Sequence, residues 1–553
     1  MKKLPILFIV IVLLGSFLRL WNVSSMPPAL NWDEISHGYN AYSLLKTGSD
    51  EWGVHFPLAN FRAYGDYPLT LNLYLTVPFV WAFGLTSFAI RFPHALLGIG
   101  TVILSYFLAL GVSKKKSVAF VVMFLVSIDP WFFFTSRFVL QSNLSVFLLT
   151  GAMAAFFNRK EHRFLLPVSI FLLGLTLFAY HTTRIFTPLL LSAMVVVYKK
   201  QIITKWTVVI AILFFLPLPL ILLNPDARAR ATDVFLLNEG SISYLETMRN
   251  QTALPSVVSK FLYNRPVYLI EQSAIHYADY FTPNFLFLKG GTQYQFSIPD
   301  FGVMNLISLP FFYVGMFFVA NKALRKRDKT YQLILLWLLL APIPASITTE
   351  RFAVLRSTTL LPLPELLSAL GLSTVFGVLS KRNKKYSLLF FSLFSVSALL
   401  FLLFYIFSYT KIYRTNYSWT WQFGYKEAVT YMSDHYSEYD RIIVTKKYGE
   451  PHEFVLFYNS WSPAAYKSDD RLVRYTQSNW WWVDSFDKYI FVNDWQIPKE
   501  GKIFVTEKGV KIDCAAMKCL LVTSPGNAPR SWKHLNSIYF LDGNTAFEIY
   551  DNK

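Results

Sequence analysis

The chain is poor in cysteine: Cys514 and Cys519 are the only two in 553 residues. At most one small disulfide can form, and only if that part of the chain is extracytoplasmic. There is no Gly-x-x-x-x-Gly-Lys-Ser/Thr loop, no Gly-x-Gly-x-x-Gly fingerprint and no Gly-x-Ser-x-Gly elbow. Nothing therefore points to a nucleotide-driven engine within this chain. No internal repeat or low-complexity segment is found. Close His/Asp/Glu ligand spacing is also missing, so no metal ligands are assigned. His37, His181 and His276 read as single polar histidines, and the need for a divalent metal stays open. No cofactor is assigned.

What the chain has is apolar length. It is 54% hydrophobic and 18% aromatic, and continuous runs such as "LPILFIVIVLLGSFL" and "YSLLFFSLFSVSALLFLLFYIF" recur. About 20 apolar residues are needed to cross a hydrocarbon core, so the class is a polytopic α-helical membrane protein. The N-terminal "MKKLPILFIVIVLLGSFLRL" resembles a signal sequence. It reads as an uncleaved anchor, because Arg19 closes the run and no small-x-small site follows. The net charge of +18 does not imply nucleic acid. Its excess sits in short clusters between apolar runs, the positive-inside pattern.

Those clusters set the topology. They are Lys2/Lys3, Lys114–Lys116, Arg159/Lys160/Arg163, Lys199/Lys200/Lys205, the "KALRKRDK" stretch from Lys322 and "KRNKK" from Lys381. Each pair must be separated by an even number of crossings. The first interval holds three runs, so the shortest, 69–84 with Asn72 and Pro78, is assigned to the membrane surface. About eleven spans result: 4–22, 88–111, 117–134, 138–157, 164–180, 185–198, 206–223, 301–320, 330–344, 359–379 and 387–409. The expected domains are 1–409, a membrane domain with outer loops 23–87 and 224–300, and 410–553, an extracytoplasmic α/β domain. The latter carries strand-like "RIIVT", "KYIFV", "KIFVTE", "CLLVT" and "SIYFL", and a helical "YKEAVTYMSDHY".

The polar residues that stand out all fall on the outer side of this map. They are Asp33, Glu34, His37, Arg62 and Asp66; Asp129, Arg137, Gln141 and Asn143; His181 and Arg184 in "YHTTR"; Arg228, Arg230, Asp233, Glu271, His276 and Asp279; and Glu350, Arg351 and Arg356 in "TTERFAVLR". Such groups near a bilayer are functional candidates. Asp33 has two readings. As a helix N-cap it would accept a backbone hydrogen bond; as a general base it would take a proton from an acceptor hydroxyl. Glu34 either orients that acceptor or faces water. Snorkelling explains one or two of the arginines. It explains Arg184, Arg351 and Arg356 less well, and the guanidinium fork suits phosphate oxygens.

The acid pair after the first span, "NWDEI", resembles the membrane glycosyltransferases of GT-C architecture. Their relatives include the dolichyl-phosphate-mannose–protein mannosyltransferases and the lipid A aminoarabinose transferase. The stretch "GDYPLTLNLYLTVPFVWAFGLTSFAIRFPHALLG", with Arg91, Pro93, Ala95 and Gly98, resembles the family's first-loop helix and the block that follows it. "DPWFFFTSRFVLQSNLSVF", "YHTTRIFTPLLL" and "APIPASITTERFAVLRSTTLLP" resemble later family segments, so the likeness runs in pieces over most of 1–380.

The resemblance implies a GT-C fold in a bacterial plasma membrane, with the active site and the C-terminal domain extracytoplasmic. It implies transfer of a sugar, with inversion, from a polyprenyl-phosphate monosaccharide to a glycan, lipid or protein acceptor on the outer face. Asp33 is then the expected base and Glu34 its companion. Arg62, Asp66, Arg137, Gln141, His181, Arg184, Glu350, Arg351 and Arg356 are the expected substrate contacts, and membrane lipids surround the chain. One departure stands out: bacterial relatives often carry Glu where this chain has Gln141.

The rival reading is a polytopic transporter of lipid-linked or small polar substrates. Transporters often show inverted repeats and charges near the midplane, and here the charges gather at one face. The charge map yields a direct test. A reporter fused after Lys553 should be active only in a form that works outside the plasma membrane; activity of a cytoplasm-only reporter there refutes the map.

Overall fold

The computed structural model of the chain describes residues 3–223 and 234–552. Arg228, Arg230 and Asp233 lie outside the described residues. Two compact units form: Met1–Trp21 with His94–Ile406, and Asn22–Pro93 with Phe407–Lys553. The sequence reading divides the chain near 409 and leaves the first outer loop with the membrane domain. In the structure that loop belongs to the same unit as the C-terminal region.

The first unit is helical, and every expected span carries a helix. Lys3–Leu20, Ser87–Ser113, Lys116–Ile128 and Gln141–Phe157 come first. Leu165–Thr176, Thr183–Tyr198 and Lys205–Phe215 follow, then Leu309–Leu324, Lys329–Leu340, Leu363–Arg382 and Lys384–Phe407. Among the described residues, four helices are long and apolar enough to cross a membrane by themselves: Ser87–Ser113, Leu306–Leu324, Leu363–Arg382 and Lys384–Asn416. The others are shorter than the ~30 Å of a hydrocarbon core at ~1.5 Å per residue, so helix length alone does not set the count at eleven. The expected span 117–134 is broken at Asp129, which caps a separate helix Pro130–Thr135. Helix Lys384–Phe407 leaves Leu388, Leu389, Leu393, Val396 and Leu400 exposed, a continuous apolar surface of the kind hydrocarbon covers.

Arginines satisfy helix ends inside this unit. Arg19 donates to the carbonyls of Val126 (3.0 Å) and Ser127 (3.1 Å), at the end of Lys116–Ile128. Arg137 donates to Leu18 (2.5 Å) and Trp21 (2.6 Å), at the end of Lys3–Leu20. The last carbonyls of a helix lack intrahelical partners, and in an apolar surround that deficit is costly. Gly98 permits the arrangement, since a Cβ there would lie 2.5 Å from Ser136 Cβ and 2.8 Å from Arg19 Nε.

Helices Leu309–Leu324 and Leu363–Arg382 approach through two glycines. A Cβ on Gly315 would lie 1.8 Å from the Leu367 oxygen, and one on Gly371 2.0 Å from that of Phe311. Small residues allow such backbone contact where lipid gives no hydrophobic drive to association.

In the second unit, helices Trp32–Thr47 and Thr70–Phe83 come from the loop between the first two expected spans. The C-terminal part builds a seven-stranded mixed sheet. Its strands are β1 (Arg441–Thr445), β2 (Val473–Gln477), β3 (Trp480–Phe486), β4 (Tyr489–Val492), β7 (Cys519–Thr523), β8 (Lys533–Tyr539) and β9 (Thr545–Asp551). Their order is β2-β3-β4-β1-β7-β9-β8, with β1 parallel to β4 and β7 and the remaining pairs antiparallel. A separate ribbon pairs β5 (Ile503–Val505) with β6 (Lys511–Asp513). The central strands β4 and β7 are buried throughout, as continuous apolar runs require when both faces are covered. On one face Ile443, Ile490 and Leu521 pack with Phe504, Trp532 and the cysteines. Cys514 and Cys519 are disulfide-bonded.

The five strand-like segments and the helical one named from sequence fall on β1, β4, β5, β7, β8 and helix Tyr425–Asp434. The glycine contact carries a prediction. Gly371→Leu should lower stability by about 1–3 kcal/mol through overpacking, while Gly377→Ala on the same helix, where a Cβ meets nothing within 4 Å, should not. Thermal unfolding of the purified protein in detergent compares the two.

Candidate active site

The helix Trp32–Thr47 sorts the two acids. Its N-cap is Asn31, whose side chain accepts from the Glu34 N–H at 2.9 Å. The capping role considered for Asp33 thus belongs to its neighbour but one. Asp33 lies in the first turn, where the positive end of the helix dipole favours a carboxylate. Its side chain is exposed, while Glu34 is fully buried.

Glu34 does not face water. Arg91 grips it from both sides, with Nε to Oε1 at 2.8 Å and Nη2 to Oε2 at 2.6 Å. The same guanidinium donates to the carbonyls of Val23 (3.2 Å), Pro27 (3.0 Å) and Ala29 (2.5 Å). All five of its N–H donors are therefore used. Arg91 was read only as part of a family block, not as a site residue.

Around Asp33 the second unit builds an aromatic wall. The Tyr64 hydroxyl donates to Asp33 Oδ1. Tyr64 stacks on Trp480, with centroids 5.0 Å apart, and Trp32 lies 6.0 Å from Tyr64. Burial and the Asp33 charge push the Tyr64 phenol well above its usual range, so it stays a proton donor to the carboxylate. The approach is tight: a Cβ on Gly65 would lie 2.1 Å from the Trp480 ring. Tyr64 and Trp480 are neighbours of the acid that sequence reasoning missed. The run Trp480–Trp482 was the visible signal.

The remaining first-loop candidates lie in the same unit. Arg62 stacks over Trp481 at 4.4 Å and Trp52 at 5.3 Å. Asp66 accepts from the Tyr67 N–H at 2.8 Å. His37 bonds Thr76 Oγ1 at 2.8 Å, and burial pushes its imidazole down to about 3, which keeps it neutral.

The other candidates lie in the first unit. Arg137, expected to contact substrate, is buried and turned onto the carbonyls of Leu18 and Trp21. Asp129, another of the outer-side candidates, accepts from the N–H groups of Trp131 (3.1 Å) and Asn305 (3.0 Å). Gln141 opens helix Gln141–Phe157 and is half-buried. His181 is half-buried, and its carbonyl accepts from the Arg184 N–H at 3.0 Å. Arg351 pairs with Asp279 at 2.5 Å and 3.0 Å, and Arg356 with Glu350 at 2.9 Å. Arg184 differs from these. Its Nε donates to the Leu177 carbonyl at 3.2 Å, but Nη1 and Nη2 are buried with no hydrogen-bond partner among the described residues. His276 bonds the Thr348 carbonyl at 3.0 Å, and burial lowers its pKa. Among the described residues one grouping has metal-ligand spacing, Glu51, His452 and Glu453. Glu51 lies 401 positions before His452, and Glu453 follows His452 directly.

Losing one partner of a buried ion pair typically costs about 3–5 kcal/mol, because the other charge is stranded. Arg91→Ala and Glu34→Gln should therefore reduce the folded fraction, read as loss of the monodisperse peak in size-exclusion chromatography. Asp33→Asn should leave that peak unchanged.

Residues 9–225 match the family model for dolichyl-phosphate-mannose-protein mannosyltransferase. A comparison with curated proteins found no match. Among solved structures, the chain is similar to ArnT from Cupriavidus metallidurans in the apo state. That match has 11% identity and a TM-score of 0.56, over 100% of this chain and 98% of that one. The same protein bound to undecaprenyl phosphate matches with 12% identity and a TM-score of 0.51, over 99% of this chain and 98% of that one. AglB, the oligosaccharyltransferase of Archaeoglobus fulgidus, in complex with an inhibitory peptide and a dolichol-phosphate, matches with 14% identity and a TM-score of 0.52. That match covers 82% of this chain, which spans 63% of the length of the archaeal enzyme. The fold is that of the GT-C glycosyltransferases, set in apolar helices of an integral membrane protein.

Proposed function

From a chain with a mannosyltransferase-family region at residues 9–225 and a GT-C fold, we propose a glycosyltransferase that uses a polyprenyl-phosphate monosaccharide. The sugar, hexosyl or pentosyl, passes to a glycan, lipid or protein hydroxyl at the outer membrane face. The observation that carries the reading is the division of the acid pair. Asp33 is exposed at a helix N-terminus, and Glu34 beside it is immobilised by Arg91.

In this reading Asp33 takes the proton of the acceptor hydroxyl as that oxygen attacks the anomeric carbon. The bond from that carbon to the phosphate oxygen breaks on the opposite face, and the lipid phosphate leaves with the electron pair. The configuration inverts. Tyr64 holds one oxygen of the base and fixes its direction, which contributes through orientation. Glu34 acts as a positioning residue: it sets the helix turn on which Asp33 stands. Of the arginines, Arg184 is assigned to the donor phosphate, because its terminal N–H groups lack partners among the described residues and such donors stabilise developing charge. Arg351 and Arg356 are matched by carboxylates within the chain. The ArnT structure bound to undecaprenyl phosphate supports a lipid of this class.

The test is transfer of labelled sugar by purified protein in lipid vesicles. Asp33→Asn should slow transfer ~10²–10⁴-fold while the donor still binds, the usual weight of a general base. Arg184→Ala should instead weaken donor binding by about 1.5–3 kcal/mol, the worth of a charged hydrogen bond. Wild-type rates from Asp33→Asn end the assignment of the base.

A further inference from the structure

The segment "EPHE", Glu450 to Glu453, lies at the turn into helix Pro451–Tyr458. In the second unit it meets Glu51, from the turn that follows helix Trp32–Thr47. Glu51, Glu450, His452 and Glu453 are each at most 3% exposed. One ligand atom from each of Glu51, His452 and Glu453 lies within 4.8 Å of the other two, with His452 Nε2 3.9 Å from Glu51 Oε1.

Buried carboxylates are expected to carry hydrogen bonds. Here both side-chain oxygens of Glu51 and Oε2 of Glu453 have none among the described residues. What faces Glu51 is the Arg474 guanidinium at 3.8 Å, the carboxyl of Glu453 and the side chain of Asn40. Ser36 reaches Glu453. The neighbouring charges do not close the balance. Lys446 is matched by Asp484 at 2.6 Å, and Asp50 is opposed by Lys467. Glu51 and Glu453 then face one guanidinium, Arg474, and Glu450 shares Lys446 with Asp484. With all three carboxyls ionised, as metal ligation requires, two negative charges are left over, which one divalent cation neutralises.

We propose that Glu51, His452 and Glu453 bind a divalent transition ion of the zinc type, which fastens the first outer loop to the C-terminal domain. An imidazole with two carboxylates suits Zn²⁺, and an imidazole disfavours Mg²⁺ and Ca²⁺, which take oxygen ligands. Metal–ligand bonds of about 2.0–2.2 Å put ligand atoms on either side of an ion roughly 4 Å apart or less. At a tetrahedral ion the ligand atoms lie about 3.4 Å apart, so the side chains close on the ion by up to about 0.8 Å each. Glu450 completes the arrangement. Its Oε2 lies 3.4 Å from His452 Nδ1, and its other oxygen accepts from the Trp480 indole. A carboxylate behind the far nitrogen of a ligating histidine fixes the tautomer and raises its basicity. Glu450 is thus a positioning residue. The ion would tie together residues 401 positions apart (51 to 452) and steady the loop that carries Asp33. The site is independent of the reading of the chain as a transferase.

The experiment uses the full chain, purified in detergent with a tag that contains no histidine. Elemental analysis by mass spectrometry should find about one zinc per chain, falling to background in His452→Gln and in Glu453→Gln. After chelation, added Co²⁺ should give the strong visible bands of a tetrahedral N/O site in the wild type and none in His452→Gln. Chelation should lower the wild-type Tm and Zn²⁺ restore it. Glu450→Gln keeps all three ligands, so it reports even where a ligand variant misfolds. It should bind zinc ~10–100-fold more weakly. Wild-type protein without a stoichiometric transition ion and without a Co²⁺ spectrum overturns the proposal and leaves a cluster of protonated carboxyls. Metal content unchanged in His452→Gln, or occupancy by Mg²⁺ or Ca²⁺ alone, overturns it as well.

Discussion

The ion pair between Arg91 and Glu34 organises the second unit from its N-terminal side. Residues 21–31 contain no helix or strand, yet their carbonyls cannot be left bare in a buried place. Arg91 supplies three of the missing donors, to Val23, Pro27 and Ala29, and its remaining two N–H groups meet Glu34. A guanidinium buried without those partners would be prohibitive; with all five donors used in planar geometry it is stable. One consequence is rotational. Successive residues on a helix step by about 100°, so anchoring Glu34 inward leaves Asp33 directed elsewhere. The exposure of the proposed base follows from the burial of its neighbour.

Arginine does similar work elsewhere, and here the sequence misleads. An arginine among apolar spans invites the reading of a phosphate ligand, since a charge there needs a reason. Apolar surroundings create a second need of equal force, donors for the carbonyls at helix ends. Arg19 and Arg137 meet that need. Arg351 and Arg356 meet carboxylates of their own chain. The distinction between these fates and that of Arg184 depends on which groups lie within about 3 Å in space. No one-dimensional pattern encodes that. The apolar runs were legible because each is a local property; the break at Asp129, a single Asp-Pro step inside an otherwise apolar run, was not.

The sheet domain divides in the same way. Strands β1, β4 and β7 were readable because burial on both faces makes them continuous apolar runs. Strands β2 and β3 were not. They carry Arg474 and Asp484, charges that look like loop residues until their partners are known: Asp484 is buried against Lys446, and Arg474 lies over Trp52 at 4.2 Å. Their turn, Ser478–Asn479, has both residues at positive φ, the conformation two-residue hairpins favour, but without the Gly that would have announced it. The union of residues 22–93 with the C-terminal region was equally hidden. It rests on contacts such as Gly65 against Trp480 and Gly449 against Trp32, whose partners are hundreds of positions apart.

The dipeptide Asp-Glu occurs twice within residues 23–87, at 33–34 and at 50–51, and sequence alone gives no reason to treat the two differently. The first was singled out by its distance from the first apolar run; the second passed unremarked. Structure separates them by the donors each acid meets. Glu34 receives a full guanidinium fork. Asp50 receives the backbone N–H groups of Trp52 and Val54 at 2.9 Å and 2.8 Å. Asp33 receives a phenol and remains exposed. Glu51, buried as deeply as Glu34, receives no hydrogen bond at its carboxyl among the described residues. A carboxylate with saturated donors is a structural anchor, and the one exposed at the helix start, Asp33, is the acid proposed as the base. One that is buried with neither must hold a proton or a cation, because the cost of an uncompensated buried charge exceeds what a fold's margin can absorb.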